Sequence, residues 1–120
     1  MTFHDRLEAE TEAECQAFQS IPLIRHAVTE GVARDLYLRF LAQAWHHVRH
    51  TCPLLGRALS RCGVADAAYA EALLAYLEEE KGHDAWILDD IAALGGDAEA
   101  VRRSSPLSAT EVMVGHAYYL

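Results

Sequence analysis

The chain has 120 residues, enough for one domain at most and enough to bury roughly two thirds of its unfolded surface if it closes on itself. Hydrophobic residues make up 52% and charged residues 23%, with seven Gly and three Pro, the composition of a globular, helix-favouring chain. Eighteen acidic residues against ten basic ones give a formal net charge of -8, so nucleic acid and anionic membrane surfaces find no electrostatic hold on it.

Met1-Thr2-Phe3-His4-Asp5 lacks the basic start and apolar run of a signal peptide, and no apolar stretch approaches the roughly 20 residues of a membrane span. Cys15, Cys52 and Cys62 are odd in number and match no zinc or redox spacing. A cytoplasmic protein with reduced thiols is the expectation.

Strand alternation is absent and the apolar period is helical from end to end, so the expected class is all-α, one helical domain over residues 1–120. A first helix is expected over residues 3–18, with Phe3, Leu7, Cys15 and Phe18 inward and Asp5, Glu8 and Glu12 outward. Ile21-Pro22 ends it, and a short helix over residues 23–30 stops at Gly31. A long third helix is expected from Arg34 towards Cys62-Gly63, bent at Pro53, which removes one backbone hydrogen bond. Asp66 caps a fourth helix that runs unbroken to Leu94 and stops at Gly95-Gly96. After a short turn from Asp97 and a linker, Ser108-Ala109-Thr110-Glu111 reads as a capping box opening a last helix. That helix finishes on Tyr118-Tyr119-Leu120, apolar and aromatic, and the expectation is the N-terminal part of a longer protein.

Within the fourth helix, Glu80 and His83 stand three apart on the stripe Tyr76, Glu80, His83, Ile87. A carboxylate on an apolar face is costly unless it is paired or metal-bound, so this spacing is a candidate half-site for a metal. Three of the seven histidines crowd the third helix. His46 shares a face with Arg39 and Arg49 and is expected in solvent. His47 and His50 lie on the stripe Leu36, Phe40, Gln43, His47, His50, Leu54, otherwise mostly apolar, and the opposite stripe Leu41, Trp45, Val48, Cys52, Leu55 is apolar too. His50, Glu80 and His83 make a two-histidine, one-carboxylate set suited to non-haem iron or manganese, with His47 in reserve. The competing reading is a set of core histidines bonded to carbonyls or to Glu80. Cys52, beside Pro53, is read as packing, Glu78 and Glu79 as a solvated face, and Asp84 as either an acceptor orienting His83 or a surface acid.

Ile21-Pro22-Leu23-Ile24-Arg25-His26-Ala27-Val28-Thr29-Glu30-Gly31, Tyr37-Leu38-Arg39-Phe40-Leu41-Ala42-Gln43, His83-Asp84-Ala85-Trp86 and Leu94-Gly95 resemble the N-terminal half of the haem-oxygenase-like helical superfamily. That superfamily includes the thiaminase-like TenA proteins, the quinone synthase PqqC and the non-haem di-iron oxidases. The di-iron branch is the most similar, because its fatty-acid-decarboxylating members carry Glu-x-x-His where this chain has Glu80 and His83. Those members place a Glu three residues before a proline on the preceding helix, and here that position is His50, which keeps a ligand but removes a bridging carboxylate. The resemblance implies iron, as one ion or two, with manganese as the other candidate. TenA proteins place an Asp after the residue matching Gln43, where this chain has Ala44, which argues against thiamin-pyrimidine chemistry.

The expected function is thus a non-haem iron-dependent oxidase or oxygenase acting with dioxygen on a small organic acid or amino-acid-like substrate, in a homodimer without nucleic-acid or membrane partners. The alternatives are a metal-free helical binding or dimerising module, or a cofactor-independent enzyme of TenA or PqqC type.

Overall fold

The computed structural model describes residues 1–120, and every regular element in it is a helix. The residues group into two compact units, Met1–Ala33 and Arg34–Leu120. In the first, α1 (Phe3–Gln19) packs on α2 (Pro22–Glu30). Thr2 and Asp5 close a capping box at the start of α1: the Asp5 amide donates to Thr2 Oγ1 and the Thr2 amide to Asp5 Oδ2. Pro22 takes the first position of α2, where a missing N–H costs nothing, and Gly31 ends it at φ 83°. Phe3, Leu7, Cys15 and Phe18 are exposed and not inward as the periodicity predicts, because α1 contributes no buried residue to its two-helix unit.

The second unit holds α3 (Arg34–Val48), α4 (Thr51–Leu59), α5 (Ala67–Glu80), α6 (His83–Ala93), α7 (Ala98–Arg103) and α8 (Ser108–Tyr119). Its core is the seam between α3 and α6: Leu41 and Trp45 against Leu88 and Ile91, flanked by Leu38, Ile87, Leu94, Ala98 and Val101. This is the apolar stripe read from residues 41 and 45 of the third helix. Ile91 is only 1% exposed, and burying such a side chain is worth about 1.5–3 kcal/mol. Gly96 lets the chain turn against this seam, since a Cβ there would lie 2.8 Å from Ile91 Cγ2 and 2.9 Å from Leu38 Cδ2. α3 also packs against α8, and α4 against α5.

Two long helices expected from periodicity are each divided. The helix from Arg34 breaks at Arg49 and His50, ahead of Pro53 and not at it. A proline ring crowds the carbonyl four residues earlier, which here belongs to Arg49, so the chain restarts as α4 with Pro53 in its first turn. The helix from Asp66 to Leu94 breaks at Lys81 and Gly82, the latter left-handed at φ 92°. Asp66 does hold the N-cap position of α5, although its carboxylate turns back to accept from the Gly63 amide at 2.8 Å.

Polar side chains of α3 close the ends of distant helices. Arg34 Nε donates to the Leu94 carbonyl at 2.6 Å, beyond the last turn of α6. Gln43 Oε1 accepts from the Leu107 amide at 2.8 Å and from Thr110 Oγ1 at 2.9 Å. Leu107, which has no side-chain acceptor, occupies the N-cap of α8, so the box expected from Ser108 and Glu111 does not form. The cap comes from α3, 64 residues away in sequence.

Candidate metal centre

Glu80 is the last residue of α5 and His83 the first of α6, so their three-residue spacing bridges a helix break and not one helical turn. The left-handed Gly82 turns the chain so that the pair still meets: His83 Nδ1 and Glu80 Oε2 are 3.0 Å apart. The side chains are 29% and 19% exposed respectively, so the pair is mostly withdrawn from water without being sealed. Val48, at the end of α3, joins Glu80, His83, Trp86, Ile87 and Asp90 around an open-sided cavity of about 320 Å³. The Trp86 ring lies 4.6 Å from that of His83, tilted by 38°, and covers one side of the imidazole. No Lys or Arg side chain lines this cavity.

The other two candidate ligands go elsewhere. His50, in the turn between α3 and α4, pairs through Nδ1 with the Tyr118 hydroxyl of α8 at 3.0 Å. Burial and the Arg49 guanidinium hold His50 below the usual histidine range. His47 is half-buried on α3 and joins neither Glu80 nor His83. No three His, Cys, Asp or Glu side chains come close enough together to hold one ion. His46, expected in solvent, is 2% exposed, because α3 is covered on more than one side, and its Nε2 lies 2.9 Å from Ser104 Oγ. Desolvation, with Arg49 and His50 nearby, lowers its pKa.

Tyr118, the partner of His50, and Asp90, in the cavity wall, were not among the residues expected from the sequence. The spacing of His83, Ile87 and Asp90, at i, i+4 and i+7 along α6, carries the second signal. Nothing local to either residue signals the contact between His50 and Tyr118, which lie 68 positions apart.

A family model described as iron-containing redox enzyme matches residues 38–120. The chain belongs to the iron-containing redox enzyme family. The matched residues take in nearly all of the second unit, including Glu80, His83 and the cavity around them. This member of the family is similar in structure to a domain of unknown function with a heme oxygenase-like fold from Shewanella denitrificans OS217, with a TM-score of 0.85 at 23% sequence identity. The superposition covers 99% of this chain and 52% of that one, so the chain has the heme oxygenase-like fold and spans about half the length of its structural relative. No curated protein matches it in sequence. As in the sequence reading, no helix is long and apolar enough to cross a membrane.

For iron, a carboxylate oxygen and an imidazole nitrogen are suitable donors, and Glu80 and His83 bring one of each to an apolar, cation-free cavity wall. They satisfy one another where no cation stands between them. Two donors are half of a site, and these 120 residues assemble no third.

Proposed function

We propose that Glu80 and His83 are two protein ligands of a non-haem iron centre, at which dioxygen oxidises a small organic acid or amino-acid-like substrate. The observation that carries the reading is the Glu80–His83 pair, joined across a helix break at the edge of a cavity, in a chain of the iron-containing redox enzyme family. His50, engaged with Tyr118, is not among the proposed donors. The remaining ligands come from outside these 120 residues, a reading supported by the half-length match to the structural relative.

Iron bound here would supply the activation of dioxygen. The chain's own part is positioning and exclusion of water. Gly82 sets the angle at which carboxylate and imidazole converge, Trp86 limits the rotation of the His83 ring, and Val48 and Ile87 give the cavity an apolar wall. Such a wall limits water's approach from the α3 and α6 side, while the opposite side of the cavity stays open.

The test is iron content by elemental analysis after anaerobic Fe(II) reconstitution, on this chain and on the complete protein, with Glu80→Ala and His83→Ala variants of each. Iron retained by the complete protein and lost in both variants, at unchanged helicity, is the expected result. Unchanged iron in either variant removes that residue from the ligand set. A second reading, a metal-free module that assembles through its apolar surface, draws on the exposure of Leu107, Val112, Met113 and Tyr119 along α8. Concentration-dependent association without metal uptake would favour it.

A further inference from the structure

The cavity beside Glu80 and His83 has a second end. His83, Trp86, Ile87 and Asp90 share one face of α6, and Asp90 lies about 10 Å of helix rise beyond His83. Trp86 and Asp90 are one turn apart, so the indole ring and the carboxylate are neighbours on that face. Trp86 is 62% exposed, which leaves ring surface free beyond its contact with His83. Glu80 and Asp90 bring two carboxylates to the wall, and no Lys or Arg side chain joins them. The cations adjacent in sequence are engaged elsewhere: Lys81 pairs with Glu78 at 3.6 Å, and the Arg49 guanidinium lies 4.7 Å from the centre of the Trp45 ring. Helix ends add to the sign. Val48 closes α3, Glu80 closes α5 and Asp90 stands in the last turn of α6, and the C-terminus of a helix carries partial negative charge. The first turn of α6, at His83, has the opposite sign, so the end of the cavity that favours a cation is the one at Asp90.

We infer that this end of the cavity binds a primary alkylammonium group: the ammonium lies over the Trp86 ring and donates to the Asp90 carboxylate, and its apolar stem runs along Val48 and Ile87 towards His83. An indole face attracts a cation through its ring quadrupole, and an ammonium offers N–H donors to a carboxylate oxygen. A carboxylate ligand would meet two like charges and no Lys or Arg, so the wall discriminates against it. At about 320 Å³ the cavity stands at the small end of the roughly 300–1,000 Å³ of ligand sites. That the bound amine is the substrate rests on the proposed function, and it narrows that reading from an organic acid to an amine. The binding itself needs no iron.

The metal-free chain, isotope-labelled at nitrogen, is titrated with n-pentylammonium chloride at constant ionic strength and followed by proton–nitrogen correlation spectra. The matched neutral and anionic probes are n-pentanol and pentanoate. The two tryptophans separate the site from the core, since Trp86 lines the cavity and Trp45 is buried in the seam. A saturable shift of the Trp86 indole and the Asp90 amide with pentylammonium is expected, with a stationary Trp45 indole and weaker binding of pentanol and pentanoate. Asp90→Asn should weaken pentylammonium binding by about two- to fivefold, the worth of a solvent-accessible charge pair, and leave pentanol unchanged. Trp86→Leu should weaken it by a similar factor, read at the Asp90 amide. Equal affinity for pentylammonium and pentanol, undiminished binding in Asp90→Asn, or no saturable shift in the unaltered chain overturns the ammonium site. The iron measurement is independent of it: iron unchanged in Glu80→Ala and His83→Ala would remove the substrate role and leave the ammonium site standing, whereas Asp90→Asn keeps both proposed ligands.

Discussion

His46 shows how one side chain can be fixed by its neighbours' bonding. Ser104 Oγ donates its only proton to the Val101 carbonyl at 2.8 Å, so towards His46 it can act only as acceptor. The Nε2 of His46 therefore carries the proton and donates to Ser104, and Nδ1 is left as a buried lone pair without a partner. Adding a second proton would bury a cation with nothing to receive it, which is why desolvation leads the causes that lower this pKa from 6.5. The folded state then binds fewer protons than the unfolded chain, so the contribution to stability is full above the unfolded value and is lost as pH falls through the folded one. Urea unfolding should show a decline in stability starting near pH 6.5 and deepening as the pH falls below it. His46→Gln should flatten that decline without abolishing it, because the pKa of His50 is lowered as well. An equally steep decline in the variant would remove His46 as its source.

At the scale of elements, the breaks matter more than the helices. Lys81 and Gly82 convert what periodicity reads as one helix into α5 and α6, and the proposed ligands stand on either side of the junction. Gly82 at φ 92° is a conformation that an L-residue adopts only at a cost of about 1–2 kcal/mol. No neighbouring atom lies within 4 Å of a Cβ placed there, so Gly82→Ala strains the backbone without a steric clash. Its expected result is a loss of about 1–2 kcal/mol in chemical unfolding. On the proposed reading of Glu80 and His83 as iron ligands, iron retention should also weaken, because relief of the strain re-aims Glu80 against His83. A variant with unaltered stability would mean that the junction relaxes freely. The break at Arg49 and His50 works the same way, turning His50 out of the register of α3 towards α8.

At the scale of the whole molecule, the core seam, the cavity and all the long-range side-chain bonds belong to residues 34–120. A chain starting at Arg34 is therefore expected to keep its helical circular dichroism and to unfold in one cooperative transition. Gradual, non-cooperative melting of that chain would show that the first 33 residues are needed for the core to form. The heme oxygenase-like fold is thus carried mainly by α3, α6 and the elements packed on them, and the family match begins within α3.

The all-α class, the ends of α2 at Gly31 and of α6 near Gly95, the short helical turn from Asp97 and the buried stripe through Leu41 and Trp45 were legible in the sequence, because each depends on local propensity or on a 3.6-residue period. The pairing of Glu80 with His83 was legible as well, since residues three apart can meet either on a helix or across a tight turn. Which face of α3 is covered was not, and so His46 lies buried where solvent was expected. Nor could the sequence place Gln43 at the start of α8 or Tyr118 on His50, since bonds between residues 64 to 68 positions apart exist only once helices have docked. Local rules determined the helices and their punctuation; docking decided which polar groups share a buried space, because the cost of an unpaired group there is settled by whichever side chain arrives to pair with it.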